Sequence, residues 1–167
     1  MLSSSFSHLS EQEKIMEHLH NDLANVILVD DSPIDLTYAR LVLDESNIVA
    51  NIVALNSGIQ LVTYLKNEAP FHEAQFPDLI LLDLNMPNMS GLDVLAYMTK
   101  ERLISEIAVI ICSRSDADID MELAKRMGAL EYIVKPLHIN RLFSALSKLD
   151  HLHLHEENEI KFIRRSA

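Results

Sequence analysis

The chain has 167 residues, of which 49% are apolar and 5% aromatic, with 3 Gly and 5 Pro; collagen-like and low-complexity folds are excluded. Its 14 Lys and Arg stand against 25 Asp and Glu, a formal net charge of −11 that opposes any phosphate backbone, and without Trp it has no obvious stacking platform for single strands. No apolar run is long enough for a membrane span, and the lone Cys112 sits in an apolar stretch as a small buried thiol, so the expected location is the reducing cytoplasm.

Residues 1–23 are expected to be an N-terminal extension. Met1–Ser10 has neither the basic region nor the apolar core of a signal peptide. Ser10-Glu11-Gln12-Glu13 fits a capping box, and Ile15, Met16, Leu19 and Leu23 follow at helical spacing, so a short amphipathic helix is predicted ahead of the main fold.

From residue 24 to 149 the pattern changes. Val26–Val29, Leu79–Leu82 and Ala108–Cys112 are short, wholly apolar runs, the mark of strands buried on both faces. Ile52–Leu55 and Tyr132–Val134 are two further strand candidates. Helices are predicted between them. Ser32-Pro33 caps Ile34–Asp44; Asn56-Ser57 opens one to about Asn67; Ser90-Gly91 opens one to about Arg102. Asp116–Met127 is stopped by Gly128, and His138–Leu149 is the last. Five strands alternating with helices imply parallel βαβ units, an α/β doubly wound sheet, and leave no support for an all-β sandwich. Glu68–Pro77, with two prolines, is expected to be a surface connection.

Polar residues follow each central run. Asp30-Asp31, Asp83, Ser113 and Lys135-Pro136 all fall at strand ends, and in a parallel sheet these lie at one edge, where such folds bind ligands. Singly, each has a plain explanation as a cap, a turn residue or a solvated charge. Four such coincidences at four strand ends outweigh it. Two carboxylates about 4 Å apart repel by roughly 4 kcal/mol at an effective dielectric near 20. A divalent cation relieves this best, and oxygen donors with retained water favour Mg²⁺. Such a site suits phosphoryl chemistry, in which an aspartate held there can itself be the nucleophile.

These residues resemble a two-component response-regulator receiver domain, of the single-domain, chemotaxis-regulator type. The resemblance covers Val26 to Leu149. It rests on Asp30-Asp31, Asp83-Leu84-Asn85-Met86-Pro87-Asn88-Met89-Ser90-Gly91, Ser113, Tyr132 and Lys135-Pro136. It implies a flavodoxin-like five-stranded sheet of order 2-1-3-4-5. It also implies that Asp83 accepts a phosphoryl group from the phosphohistidine of a sensor histidine kinase or a histidine phosphotransfer protein. Asp31 would ligate Mg²⁺ directly, Asp30 through water, and Asn85 through its backbone carbonyl, with Asp83 completing the set. Lys135 would pair with the carboxylate or phosphoryl group, Ser113 would bond the phosphoryl group, and Tyr132 would swing inward as Ser113 moves. The bond before Pro136 would be cis. A downstream protein would read the last two helices and the strand between them, and a second copy of the chain is a candidate partner. The chain is then no enzyme beyond catalysing its own phosphorylation and dephosphorylation.

Two positions depart from or tune this pattern. Arg114 stands where the family usually has a small residue, and Asn85 borders the path of an attacking water; both bear on phosphoryl lifetime. Two other readings carry weight: a docking module of the same fold that is never phosphorylated, and an Asp-nucleophile phosphatase. The latter would want an acid two residues past Asp83, where Asn85 stands.

Residues 150–167 are expected to be a C-terminal tail, too short for a DNA-binding output domain. In Asp150-His151-Leu152-His153-Leu154-His155 a strand would put three His on one face and a helix would align only two. Histidines so spaced suit Zn²⁺, but no carboxylate or Cys position is fixed around them, so a polar, solvated tail is favoured. Ile160, Phe162 and Ile163 hint that part of it packs.

Overall fold

Two alternating sets of apolar side chains organise the computed structural model, which describes residues 23–166. In β1 (Asn25–Val29), β4 (Leu79–Leu82) and β5 (Ala108–Ser113), odd and even positions point to opposite faces. Ile27, Val29, Ile80, Leu82, Val109 and Ile111 form one core, and Val26, Leu28, Leu79, Leu81, Ile110 and Cys112 the other. Every position in these three strands is buried, which is why the runs show no polar alternation.

Helices cover both faces. On one side lie α2 (Gly58–Leu65), α3 (Gly91–Lys100) and α4 (Asp118–Arg126), through Leu61, Val94, Leu95, Met98 and Ala124. On the other lie α1 (Pro33–Glu45) and α5 (Ile139–Leu146), through Leu43, Leu142, Ala145 and Leu146. The starts of α1, α2 and α3 follow the expected chemistry, whereas α4 and α5 begin after Ala117 and His138 with no side-chain cap. The Ser32 and Ser57 hydroxyls accept from the Asp35 and Gln60 amides, and Ser90 with Asp93 closes a full capping box. Gly128, at φ 97°, ends the chain's descent from α4.

With β3 (Asn51–Leu55) and β6 (Glu131–Val134), the central strands form an all-parallel sheet of order β3-β1-β4-β5-β6. Counted among these five strands alone, this is the expected 2-1-3-4-5 order. The proposed N-terminal helix lies outside the described residues. The connection after α2 packs more than expected: Tyr64 donates its hydroxyl to the Gln75 carbonyl at 2.8 Å and meets the Phe71 ring at 5.2 Å.

The polar-tail reading of residues 150–167 is corrected. Residues 152–165 form an antiparallel hairpin, β7 (Leu152–Glu157) and β8 (Ile160–Arg165), and β8 pairs in parallel with a two-residue strand, β2 (Ile48–Val49). Asn158 and Glu159 both have positive φ, 51° and 67°, as a two-residue turn of the twist-matched kind requires. Leu152 and Ile163, each 1% exposed, enter the α1/α5 core, while Ile160 stays exposed. The hairpin also bonds the starting end of the main sheet: Ala24 donates to the Ile163 carbonyl at 2.8 Å, and Arg165 reaches Asp78, at 3.0 Å, and the Leu23 carbonyl. It is an integral part of the fold. Leu152→Ala should therefore cost about 2–5 kcal/mol in stability, the range for truncating a fully buried leucine. A urea midpoint barely changed from the wild type would show that the hairpin does not share the core.

Candidate functional site

The finishing end of the sheet gathers the charged residues. Asp30 follows β1 and is pinned by its own amide, which donates to the Leu55 carbonyl. Asp83 follows β4, its amide donating to the Val29 carbonyl at 2.9 Å. Both side chains are buried, whereas Asp31 is exposed. One oxygen from each of Asp30, Asp31 and Asp83 falls within 4.8 Å of the others, the only group of three metal-type ligands among the described residues. Hard carboxylate oxygens at this spacing fit a divalent cation.

Lys135 leaves β6 through a cis bond to Pro136 and carries its ammonium into this cluster. Its amide donates to the Ser113 carbonyl at 2.8 Å, which locks the loop to β5. The Nζ donates to Asp30 Oδ2 at 2.5 Å, to Asp35 Oδ2 at 2.9 Å, and lies 3.0 Å from Asp83 Oδ1. Burial alone would lower its pKa, but the three carboxylates outweigh burial and hold the ammonium well above the usual lysine range. Burial likewise lifts the Asp30 carboxyl above its ordinary value, against the pull of Lys135 and the Ser32 amide. Cys112, buried beneath, has its thiol pushed up to about 12 by desolvation, so it is inert packing.

Asp35 was not singled out in the sequence. It sits in the first turn of α1, where acids are common as dipole partners, so nothing marked it out. Its Oδ2 receives both Lys135 and Arg114, the latter at 2.6 Å. Burial would raise its carboxyl, but those two cations hold it below the usual range. Arg114 is therefore anchored to α1 across the site, although its side chain is 70% exposed.

Asn85 joins the remaining groups. Its amide donates to Asp83 Oδ2 at 2.8 Å, and its side-chain Nδ2 to Ser113 Oγ at 3.2 Å. Ser113 is fully buried and also accepts from the Ser115 amide at 3.3 Å. Tyr132 is 9% exposed, and its hydroxyl donates to the Ser115 carbonyl at 2.9 Å, so the ring already lies inward. Its pKa is raised, chiefly by burial.

Gly91 explains the end of the Asp83 motif. A Cβ there would stand 2.3 Å from the Asp83 carbonyl oxygen and 2.9 Å from Leu84 Cα, so only glycine lets α3 start against the backbone of Asp83. Beside the cluster a cavity of about 400 Å³ opens between α1 and the loop after β6, lined by Ile34, Tyr38, Leu81, Pro136 and Leu137 with Arg114 and Lys135.

A doubly wound sheet that ends in three gathered carboxylates, two of them buried, with a lysine among them is the arrangement of a receiver. The chain belongs to the response regulator receiver domain family, whose model matches residues 26–147. It is 26% identical over 125 residues to the response regulator Rcp1 of Synechocystis, spanning 75% of this chain and 85% of that protein. It is 27% identical to protein PilH of Pseudomonas aeruginosa, spanning 75% and 96%. The phosphorylated cyanobacterial phytochrome response regulator RcpA superposes with a TM-score of 0.64 at 30% identity, covering 73% of this chain and 87% of that one. The Mn²⁺-bound form of Rcp1 does so at 0.63 and 27%, covering 72% and 87%.

A divalent ion at 100 times its Kd should stabilise the fold by about 2.7 kcal/mol, seen as a rise in melting temperature. Asp31→Ala should remove that rise while leaving the metal-free melting temperature equal or higher, because it deletes a like charge at an exposed position. A metal response that survives Asp31→Ala would put the ion elsewhere.

Proposed function

We propose that Asp83 accepts a phosphoryl group from the phosphohistidine of a sensor kinase or phosphotransfer protein, and that the phosphorylated chain signals through protein contacts. One observation carries the reading: a buried carboxylate has one oxygen against Lys135, the other against the Asn85 amide, and two further carboxylates gathered beside it. In the transfer, an Asp83 oxygen forms the new bond to phosphorus as the bond from phosphorus to the histidine nitrogen breaks. The electron pair stays on that nitrogen.

Mg²⁺ is the proposed ion, and when bound it would neutralise charge on the transferred group. The ligand roles are those that the family resemblance implies. Asp30, whose oxygens accept from the Ser32 amide and from Lys135, would act through water. Asp31, exposed, suits direct ligation, and the Asn85 backbone carbonyl is the proposed further donor. Lys135, already beside Asp83 Oδ1, is placed to follow the added phosphoryl oxygens. Ser113 would exchange its bond from Asn85 for one to the phosphoryl group. Tyr132 would couple that exchange to the outer surface of α4, β6 and α5, where a protein target would dock.

The chain on this reading catalyses only its own phosphorylation and dephosphorylation. An Asp-nucleophile phosphatase is disfavoured because Asn85 has no acid to offer and its side-chain amide is bonded to Ser113.

Intact mass after incubation with acetyl phosphate tests this. One phosphoryl adduct should appear, require Mg²⁺, and be absent from Asp83→Asn. An equal adduct on Asp83→Asn, or none from either acetyl phosphate or a phosphohistidine donor, would overturn it and leave a docking module of the same fold.

A further inference from the structure

The two faces of the small sheet β2-β8-β7 are used differently. One, through Ile48, Leu152, Leu154 and Ile163, packs on the α1/α5 core. The other carries Val49, Phe162 and Arg164, with His155 and His153 across from the last two. Leu23 bridges to Arg164 as its antiparallel partner and so joins this outer face. It is 5% exposed, yet it belongs to neither core. The Arg164 guanidinium lies 4.9 Å from the centre of the Phe162 ring. Its Nε and Nη2 are shut off from water, and no described residue accepts from them. A cation in that position is costly without an acceptor. An apolar group and a cationic one are thus buried side by side, on a face that the described residues do not cover.

We propose that the chain covers this face with its own N-terminal segment. Residues 11–20 pack along β8 as an amphipathic helix, with Ile15, Met16 and Leu19 on Phe162 and Leu23 and the carbonyl end of the helix on Arg164.

Position favours this occupant over a free partner. Ala24 donates to the Ile163 carbonyl at 2.8 Å, and the Leu23 carbonyl accepts from Arg165 at 3.0 Å. Residues 1–22, outside the described residues, are therefore tethered beside Arg164. A short tether gives an effective concentration of about millimolar, which few free partners reach. Running antiparallel to β8, the chain comes to Leu23 from beyond Arg165 and must fold back to cover the face. Asn21-Asp22, both turn-forming residues, stand where it would do so. Length agrees as well. A helix of residues 11–20 would be about 15 Å long, within the roughly 20 Å of β8.

The chemistry of the segment matches the face. Ile15, Met16 and Leu19 form one apolar stripe at helical spacing. The last turn of a helix leaves carbonyls unbonded and carries the negative end of the dipole, which supplies the acceptors that Arg164 lacks. Because the segment joins Leu23 by that end, the carbonyls fall nearest Arg164. Glu11, Glu13, Glu17 and Asp22 against Lys14 make the whole segment acidic, the sign that a buried cation attracts.

The test uses the full chain with ¹³C-methyl Ile, Leu and Met and protonated Phe. Nuclear Overhauser contacts from the Phe162 ring to the methyls of Ile15, Met16 or Leu19 are expected. Arg164→Glu sets a negative charge against the carbonyl end and should abolish them, whereas Arg164→Lys should keep them. The cross-strand contact between Leu154 and Ile163 should stay in both variants, which shows the hairpin still folded. A mixture of labelled and unlabelled chains separates contacts within a chain from contacts between chains. Contacts only between chains would assign the face to a second copy, and no contacts at all would leave it to another partner; either result would overturn the proposal. Contacts as strong in Arg164→Glu as in the wild type would also overturn it.

Discussion

The ammonium of Lys135 is the interaction on which the site depends. It touches three carboxylates, from β1, α1 and β4, and enters from β6. Elements distant in sequence therefore meet at one atom. Four carboxylates, Asp30, Asp31, Asp35 and Asp83, face two cations, Lys135 and Arg114. The formal remainder is two negative charges, which is the charge of one divalent ion. The cluster without metal is thus short of positive charge by the amount such an ion carries. Breaking a buried pair of this kind typically costs about 3–5 kcal/mol, because the partners are left uncompensated.

That concentration of charge is possible only because the sheet beneath it is dry. The central strands β1, β4 and β5 are buried on both faces, and the peptide that follows a strand is bonded to its neighbour: Asp30 after β1 to Leu55, Asp83 after β4 to Val29, and Lys135 after the edge strand β6 to Ser113. The side chains are aimed by strand ends, which are the most constrained positions available to a loop residue. Gly91 adds a second constraint by bringing α3 against the Asp83 backbone, closer than any other residue type allows. Precision at the site follows from packing elsewhere.

What was legible in the sequence follows the same logic. Asp30, Asp83, Ser113 and Lys135 each end an apolar run, and a run buried on both faces is among the clearest of sequence signals. Strand order came with the resemblance carried by those residues. Asp35 was illegible because a first-turn acid has an ordinary reading, and only the fold brings Lys135, a hundred residues later in sequence, within reach of it. Arg114 was visible, but its partner was not, for the same reason. The hairpin was missed for a local cause: Asn158-Glu159 lacks the glycine that usually announces such a turn, and β2 is only two residues long. The alternation of His and Leu over residues 151–155 was strand-like, yet too short to decide between strand and helix.

The hairpin also shapes how a change at the site can travel. Through Leu152 and Ile163 it joins the core that holds Leu43 of α1 and Leu146 of α5, and through β2 it holds the chain between α1 and β3. These contacts, and those to Ala24 and Asp78, tie down the end of the molecule away from the acidic pocket. The opposite end is held differently: Ser113 is bonded by one side chain and one amide, and Tyr132 by a single hydroxyl contact to Ser115. Adding a doubly charged group with strong acceptors there competes directly with bonds of ordinary strength. The far end, fixed by core packing, has no comparable competitor. On the proposed function, a rearrangement would be expressed where the bonds are exchangeable, in the loops after β5 and β6 around Ser113, Ser115 and Tyr132.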